Sequence, residues 1–212
     1  MPRRNRTDPF GDLHAVAARG MFLGNRGCLV DDDRQMVRHH VGQLWIICVL
    51  SYKDWKSPLD QPRHWTPLFF LDDAVALAAG HRPCGLCRHR DHLAYREGAR
   101  VGLGLERFPS ATELNRMLAR ERLSRGRGMT RAADRVLWDA ELPALPDGTV
   151  IVEDGHPLLV TEGRLLRFSW DGWLETGMIV TSRQVQVLTP PTSVLALTHG
   201  YRPTLHPSAT KS

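Results

Sequence analysis

The stretch Gly-His-Arg-Pro-Cys-Gly-Leu-Cys-Arg-His at residues 80–89 carries the densest reactive chemistry of the chain. Cys84 and Cys87 have the spacing that lets two thiolates approach one metal ion while backbone N–H groups of the turn point at the sulfurs. Gly85 permits the tight turn, and Pro83 fixes the backbone just before the first cysteine. We therefore predict that Cys84 and Cys87 bind Zn²⁺.

A tetrahedral zinc site needs two more ligands. Cys48, in the middle of an apolar run at residues 43–50, is our choice for the third. We take His64 as the working choice for the fourth, but the sequence leaves that place open among several residues. The candidates are Cys28, His39, His40, His64 and His81.

Two other interpretations of the Cys-x-x-Cys pair stay open. Followed by a helix, it is arranged like a dithiol–disulfide active site, in which the helix dipole lowers the pKa of the first thiol. Such sites normally follow a parallel strand, whereas here a helix ending at Gly80 comes first. The cysteines could also have no chemical role. We favour the metal site.

Short elements must position these cysteines. Apolar runs rich in β-branched and aromatic residues predict strands within residues 20–27, 43–50 and 66–70. A helix is predicted over 71–80, capped by Asp72 or Asp73 and ended by Gly80. A second helix is predicted over 88–98, ending at Gly98.

The rest of the chain changes character near residue 140. Ser110 and Glu113 form a capping-box pattern that predicts a helix to about Leu123, followed by a flexible basic loop at 124–128 and a short helical turn. After Pro143, four short apolar runs separated by Asp-Gly, Glu-Gly and Pro turns predict a small antiparallel sheet or barrel. The segments 72–89 and 191–208 share a helix followed by a Gly-aromatic-Arg-Pro turn, so we expect a common turn geometry.

These patterns predict an α+β fold, and 212 residues can bury one good core or two small ones. We divide the chain into four parts: a flexible arm at 1–19, a small zinc-stabilised α/β module at 20–100, a basic helical segment at 101–140, and a small β-rich domain at 141–212.

Residues 69–91 resemble the second half of the Ada-like zinc-binding module, found in the bacterial DNA-alkylation repair protein Ada and in small zinc modules attached to nucleases. The shared pattern is an aromatic strand end, an acid-capped Ala-rich helix, and Gly-aromatic-x-Pro-Cys-x-x-Cys followed by a basic residue. The likeness covers about residues 20–92, including the Gly-Asn turn of 22–27. It implies that Cys84 and Cys87 bind zinc.

The resemblance also has departures. The module's first ligand pair, Cys-x-x-x-Cys or His-x-x-x-Cys, is absent here, so Cys48 would stand in for one member. In the Ada module a zinc-bound cysteine accepts a methyl group from a DNA phosphotriester, which relies on several thiolates making the centre negative. With at most three cysteines gathered, alkyl acceptance is not favoured here.

Charge distribution suggests a partner. Between Arg82 and Arg135 there are thirteen Arg against six Asp or Glu, so this stretch carries +7 within a chain of +5. Clustered Arg suits phosphate binding, although the chain's general preference for Arg over Lys produces the same skew. We predict a nucleic-acid partner, with DNA ahead of RNA. The predicted contacts are Arg82, Arg88, Arg90, Arg120, Arg125 and Arg127.

An enzyme is the main alternative. Histidines and an Asp run could supply general bases or an open metal site, but no known catalytic signature is present, and such runs are most often solvated. The residues concerned are His39, His40, His64, His89, His92 and Asp31 to Asp33. A third alternative is a protein-interaction scaffold that docks a partner through Trp170 and Trp173.

The composition indicates in which cellular compartment the protein is expected. The longest apolar run, Leu44 to Leu50, is far shorter than a membrane span, and no apolar signal segment follows the basic N-terminus. Four scattered cysteines do not form a disulfide framework. We expect a cytoplasmic protein that is not bound to a membrane.

Overall fold

The computed structural model describes residues 2–53, 55–56, 63–126 and 128–210. Within them the fold is α+β, with four helices, two six-stranded sheets and a two-stranded hairpin. The first half contains β1 (Arg6–Thr7), β2 (Leu13–His14), β3 (Phe22–Asn25), β4 (Ile46–Cys48), β5 (Ser51–Tyr52), β6 (Trp55–Lys56), β7 (Leu68–Phe70), α1 (Asp73–Ala78), β8 (Arg82–Pro83), α2 (His89–Gly102) and α3 (Ala111–Arg122). The second contains β9 (Trp138–Glu141), β10 (Val150–Glu153), β11 (His156–Thr161), β12 (Arg164–Ser169), β13 (Gly172–Ile179), β14 (Gln184–Val187) and α4 (Pro191–Thr198).

The first sheet has the strand order β2-β1-β7-β3-β4-β8. Its β3 pairs antiparallel with both β4 and β7, while β8 lies parallel to β4 at the edge. The predicted arm at 1–19 contributes β1 and β2 to this sheet, because β1 pairs in parallel with β7 and Thr7 and Leu13 are buried.

Helix α1 connects the centre of this sheet to its edge. Asp72 caps it by accepting a hydrogen bond from the Val75 N–H at 3.0 Å, and every residue of the helix is buried. Gly80, with φ +84°, follows the last turn. The residue after it can therefore turn back toward β4, and the Arg82–Pro83 strand forms there.

The second sheet is antiparallel, in the order β13-β12-β11-β10-β14-β9. Tight turns at Asp154-Gly155 and Glu162-Gly163, all with positive φ, join its central strands. The four apolar runs predicted after Pro143 lie within this sheet, which includes β9 and β13 as two additional edge strands.

Helices α2 and α4 pack against each other closely. Gly98 makes this approach possible, because a Cβ at that position would lie 2.5 Å from the Ala196 carbonyl oxygen. The predicted end of the second helix at Gly98 is therefore wrong. The helix continues to Gly102, since the glycine serves packing against α4.

The predicted common turn after α1 and α4 is present. Gly80 N–H donates to Leu77 O and His81 N–H to Ala76 O, while Gly200 N–H donates to Leu197 O and Tyr201 N–H to Ala196 O. Both glycines have positive φ. The predicted capping box of Ser110 and Glu113 also forms at the start of α3.

One hydrophobic cluster joins elements from both halves of the chain. It includes Phe70 and Leu77 from the first half, with Leu159, Trp173 and Tyr201 from the second. The four-part division of the chain stays a prediction. None of the described helices is both long enough and apolar enough to cross a membrane.

Candidate metal centre

Cys48, Cys84 and Cys87 lie together, with their three Sγ atoms within 4.8 Å of one another. Cys48 is the last residue of β4, and Cys84 directly follows β8, its parallel neighbour. The Cys84 N–H donates to Ile47 O at 2.9 Å, so strand pairing brings the two thiols together across 36 residues of sequence. Cys87 joins them from the turn before α2.

The turn directs backbone N–H groups at the sulfurs. Leu86 N–H donates to Cys84 Sγ at 3.4 Å. A hydrogen bond from the Val49 backbone reaches Cys87. Arg88 N–H donates to Cys84 O at 3.2 Å and closes the turn at the start of α2. These donors stabilise thiolates, which are the form of cysteine that binds a metal ion.

Because the three thiols lie so close together, their pKa values differ. Hydrogen bonds from Cys48 and Cys87 lower the pKa of Cys84, because they stabilise its thiolate. The same contact raises the pKa of Cys48, which donates to Cys84. A cluster that favours a thiolate at Cys84 beside two further thiols is suited to a soft cation, which would replace the remaining protons.

Gly85 and Leu86 at the tip of the turn are exposed, so the cluster lies near the surface. Gly85 also fits against His92, since an added Cβ would lie 3.2 Å from His92 Cδ2. Burial, followed by the charges of Arg82 and Arg96, lowers the pKa of His92 to about 4. A neutral histidine therefore packs beneath the turn, a role that the sequence did not reveal.

The alternative fourth ligands Cys28, His39, His40 and His81 have other partners in this structure. In the described part of the chain no histidine, cysteine or acidic residue joins the three thiols as a fourth member. His64 is exposed, and the Cys28 thiol donates to Val30 O at 3.5 Å. The histidines at 39, 40 and 81 surround Arg26 and Trp45 instead.

Two of the six predicted nucleic-acid contacts are buried. The Arg82 Nε donates to Asn115 at 2.9 Å, and Arg88 forms a bidentate ion pair with Asp73. Their guanidinium groups are thus used within the fold. Arg90, Arg120 and Arg125 are exposed, and Arg127 lies outside the described residues.

Other predicted site residues have local partners. Asp31 caps a turn by accepting from the Gln35 N–H at 2.8 Å, and Asp32 forms an exposed ion pair with Arg63. Trp173 is buried and donates its indole N–H to Asp72 at 2.7 Å, while Trp170 packs against Phe168.

Searches of protein-family models, curated proteins and solved structures find no match for this chain. The three cysteines that come together are compatible with a zinc module but are not specific to one family of such modules. They are the structural basis for assigning a function.

Proposed function

We propose that this chain is a zinc-binding protein whose metal ligands are Cys48, Cys84 and Cys87. The observation that carries the proposal is the approach of three thiols from two strands and a turn to within 4.8 Å. Thiolates select soft or borderline ions such as Zn²⁺, and hydrogen bonds from the turn are typical of such sites. The metal would hold β4, β8 and the start of α2 together. His64 does not join the three thiols in this structure, and its role as the fourth ligand stays a proposal for the variant test below.

Metal analysis of the purified protein tests this assignment. We expect about one equivalent of zinc per chain in the wild type, in line with a single site. Substitutions Cys48→Ser, Cys84→Ser and Cys87→Ser should each abolish stoichiometric zinc, whereas Cys28→Ser should retain it. Loss of zinc in His64→Gln would support that histidine as the fourth ligand. A wild-type protein that is metal-free when prepared under reducing conditions with zinc would contradict the proposal.

A redox function has one observation in its favour. Cys84 follows a short strand that is parallel to β4, so the arrangement does include the parallel strand that the sequence appeared to lack. The third thiol, Cys48, favours the metal instead, because a dithiol–disulfide site needs only two. If the zinc assignment is correct, zinc should protect all three thiols from alkylation. Rapid formation of a Cys84–Cys87 disulfide in zinc-loaded protein would favour redox chemistry.

The finer part of the proposal is an Ada-like module that binds nucleic acid, with DNA preferred to RNA. Its support is the exposure of Arg90, Arg120 and Arg125 together with the basic charge of residues 82–135. The affinity for a DNA duplex should fall steeply with salt, because phosphate contacts release counterions. Arg120→Glu should weaken binding, whereas Arg202→Glu, on a different segment, should not. Binding indifferent to salt would contradict this part.

A further inference from the structure

A second group of functional side chains lies apart from the cysteines. Arg26 is completely buried, and its Nε donates to His81 Nε2 at 3.1 Å while its Nη1 donates to Gly11 O at 2.7 Å. The Arg26 guanidinium lies over the Trp45 ring, with its Cζ 4.2 Å from the ring centre. The Arg122 guanidinium also lies over this ring, with its Cζ 3.7 Å from the centre. We call the residues Arg26, His39, His40, His81 and Arg122 the arginine–histidine cluster.

Within the described ranges, the arginines of this cluster have no directly paired carboxylate. Among the described residues, no carboxylate lies within ion-pair distance of Arg26, Arg122 or Arg135, all of which are buried. Within the part of the chain that the structure describes, Arg122 donates to two carbonyl oxygens, those of Gly80 and Gln43, each at 3.0 Å. A guanidinium is effectively always charged, and burying a charge without a counterion is costly.

Among the described residues, several buried donors also have no hydrogen-bond partner. They are Arg26 Nη2, His81 Nδ1, and both Nε and Nη1 of Arg135. Burial, reinforced by the charges of Arg26 and Arg135, lowers the pKa of Arg122 to about 8. Burial is the larger cause of this shift, and the positive charges of Arg26 and Arg135 add to it. Nearby carboxylates reduce this charge only in part, because Asp134 pairs with Arg131 and Asp12 accepts from the backbone of Arg131 and Ala132.

A cavity opens beside this cluster. Its volume is about 630 Å³, and the side chains that matter in its wall are His40, Arg122, Arg125 and Arg131. A second cavity of about 250 Å³ shares His40 and Arg131 with the first. The segment Ser124 to Gly126 also forms part of the wall. This size matches a small ligand.

We propose that this cavity binds phosphate groups, with His40, Arg122, Arg125 and Arg131 as the recognising side chains. Phosphate suits the site because a guanidinium fork pairs with its oxygens and several arginines favour more than one negative charge. His39 Nδ1 lies 3.0 Å from His40 Nδ1, and His39 Nε2 lies 2.9 Å from Gly11 O. This chain of contacts fixes the orientation of His40 at the wall. The inference does not depend on the metal site.

The probe for a test is inorganic triphosphate, titrated calorimetrically into the full chain at constant ionic strength, with zinc content measured before and after. We expect saturable binding and a raised melting temperature. Arg125→Glu should weaken binding by about tenfold or more, since hydrogen bonds between charged groups are the strong ones. Arg125 is exposed, so this variant should fold. His40→Asn should also weaken binding.

Arg116→Glu, with the same charge change at an exposed position on α3 outside the cavity wall, is the matched control and should bind nearly as well as the wild type. Competition by a DNA oligonucleotide would identify the source of the phosphate as a nucleic-acid backbone, and lack of competition would identify a small phosphorylated molecule. Either result supports the cavity as a phosphate site. Absence of triphosphate binding, or equal weakening by Arg116→Glu and Arg125→Glu, would overturn the proposal.

Discussion

Arg88 and Asp73 form a buried bidentate ion pair, with Nη1 2.5 Å from Oδ1 and Nη2 2.8 Å from Oδ2. Arg88 directly follows Cys87, and Asp73 begins α1. The Asp73 carboxylate also accepts hydrogen bonds from Thr204 N–H at 2.9 Å and from the Tyr201 hydroxyl at 3.3 Å. The cysteine turn, α1 and the C-terminal segment are therefore connected through one carboxylate.

Removing one member of this pair should destabilise the protein strongly. Arg88→Met leaves the Asp73 charge buried without its cation, which typically costs about 3–5 kcal/mol. We expect a fall of that size in the free energy of unfolding, measured by urea denaturation. Arg100→Met, which breaks a partly exposed pair with Glu97 within α2, should have a much smaller effect. Equal effects of the two substitutions would show that the buried pair has no special structural role.

The cysteine cluster could be predicted from the sequence because part of it is a local sequence pattern. A Cys-x-x-Cys turn has a recognisable spacing, and Cys48 lies in an obvious buried strand. The contact between them depends on the parallel pairing of β4 with β8, which no local pattern specifies. For the same reason, the sequence did not reveal that Arg82 and Arg88 are buried. Their partners, Asn115 and Asp73, are distant in sequence, so both arginines looked available for phosphate.

The arginine–histidine cluster was not predicted as a unit. His39, His40 and His81 were considered separately as metal ligands, and Arg26 gave no signal, because an arginine in a Gly-Asn-Arg-Gly turn is usually exposed. Its complete burial follows from stacking on Trp45 and from hydrogen bonds to Gly11 and His81. Such an arrangement arises only from long-range packing.

The variant Gly98→Ala tests whether close packing of α2 against α4 outweighs the helix propensity of alanine. An alanine within α2 should stabilise the isolated helix by about 1 kcal/mol. In the folded protein its Cβ would lie 2.5 Å from Ala196 O and 2.9 Å from Ala196 Cα, which forces α2 and α4 apart. Overpacking of this kind costs about 1–3 kcal/mol. We expect net destabilisation in thermal unfolding, and a higher melting temperature would contradict the close helix contact.

Acid should destabilise the protein through its buried histidines. Burial, followed by the charge of Arg26, lowers the pKa of His39 to about 2, far below its ordinary value. As the pH falls below about 6.5, the unfolded chain takes up a proton on this residue that the folded chain does not. The stabilising contribution is complete above that pH and is lost as the pH falls toward the folded pKa, at about 1.4 kcal/mol for each pH unit.

His39→Gln removes this titration while keeping a polar side chain. Between pH 6 and 4.5 the free energy of unfolding should therefore decrease less steeply in His39→Gln than in the wild type. Above pH 7.5, where histidine is neutral in the unfolded chain, the two proteins should show parallel pH dependence. Identical slopes in the acid range would contradict the neutral, buried state of His39.

Removal of the metal should lower stability without unfolding the protein. Metal binding to the folded state adds to folding stability, but the large hydrophobic cluster that joins both halves of the chain does not include the cysteines. Saturation at about a thousand times the dissociation constant contributes about 4 kcal/mol, which corresponds to a fall on the order of 10 °C in melting temperature for a chain of this size.

We expect a strong chelator to lower the wild-type melting temperature to that of Cys84→Ser and to have no further effect on that variant. Cys28→Ser should respond to the chelator as the wild type does. If the wild-type melting temperature is the same with and without chelator, the three thiols do not hold a stabilising ion.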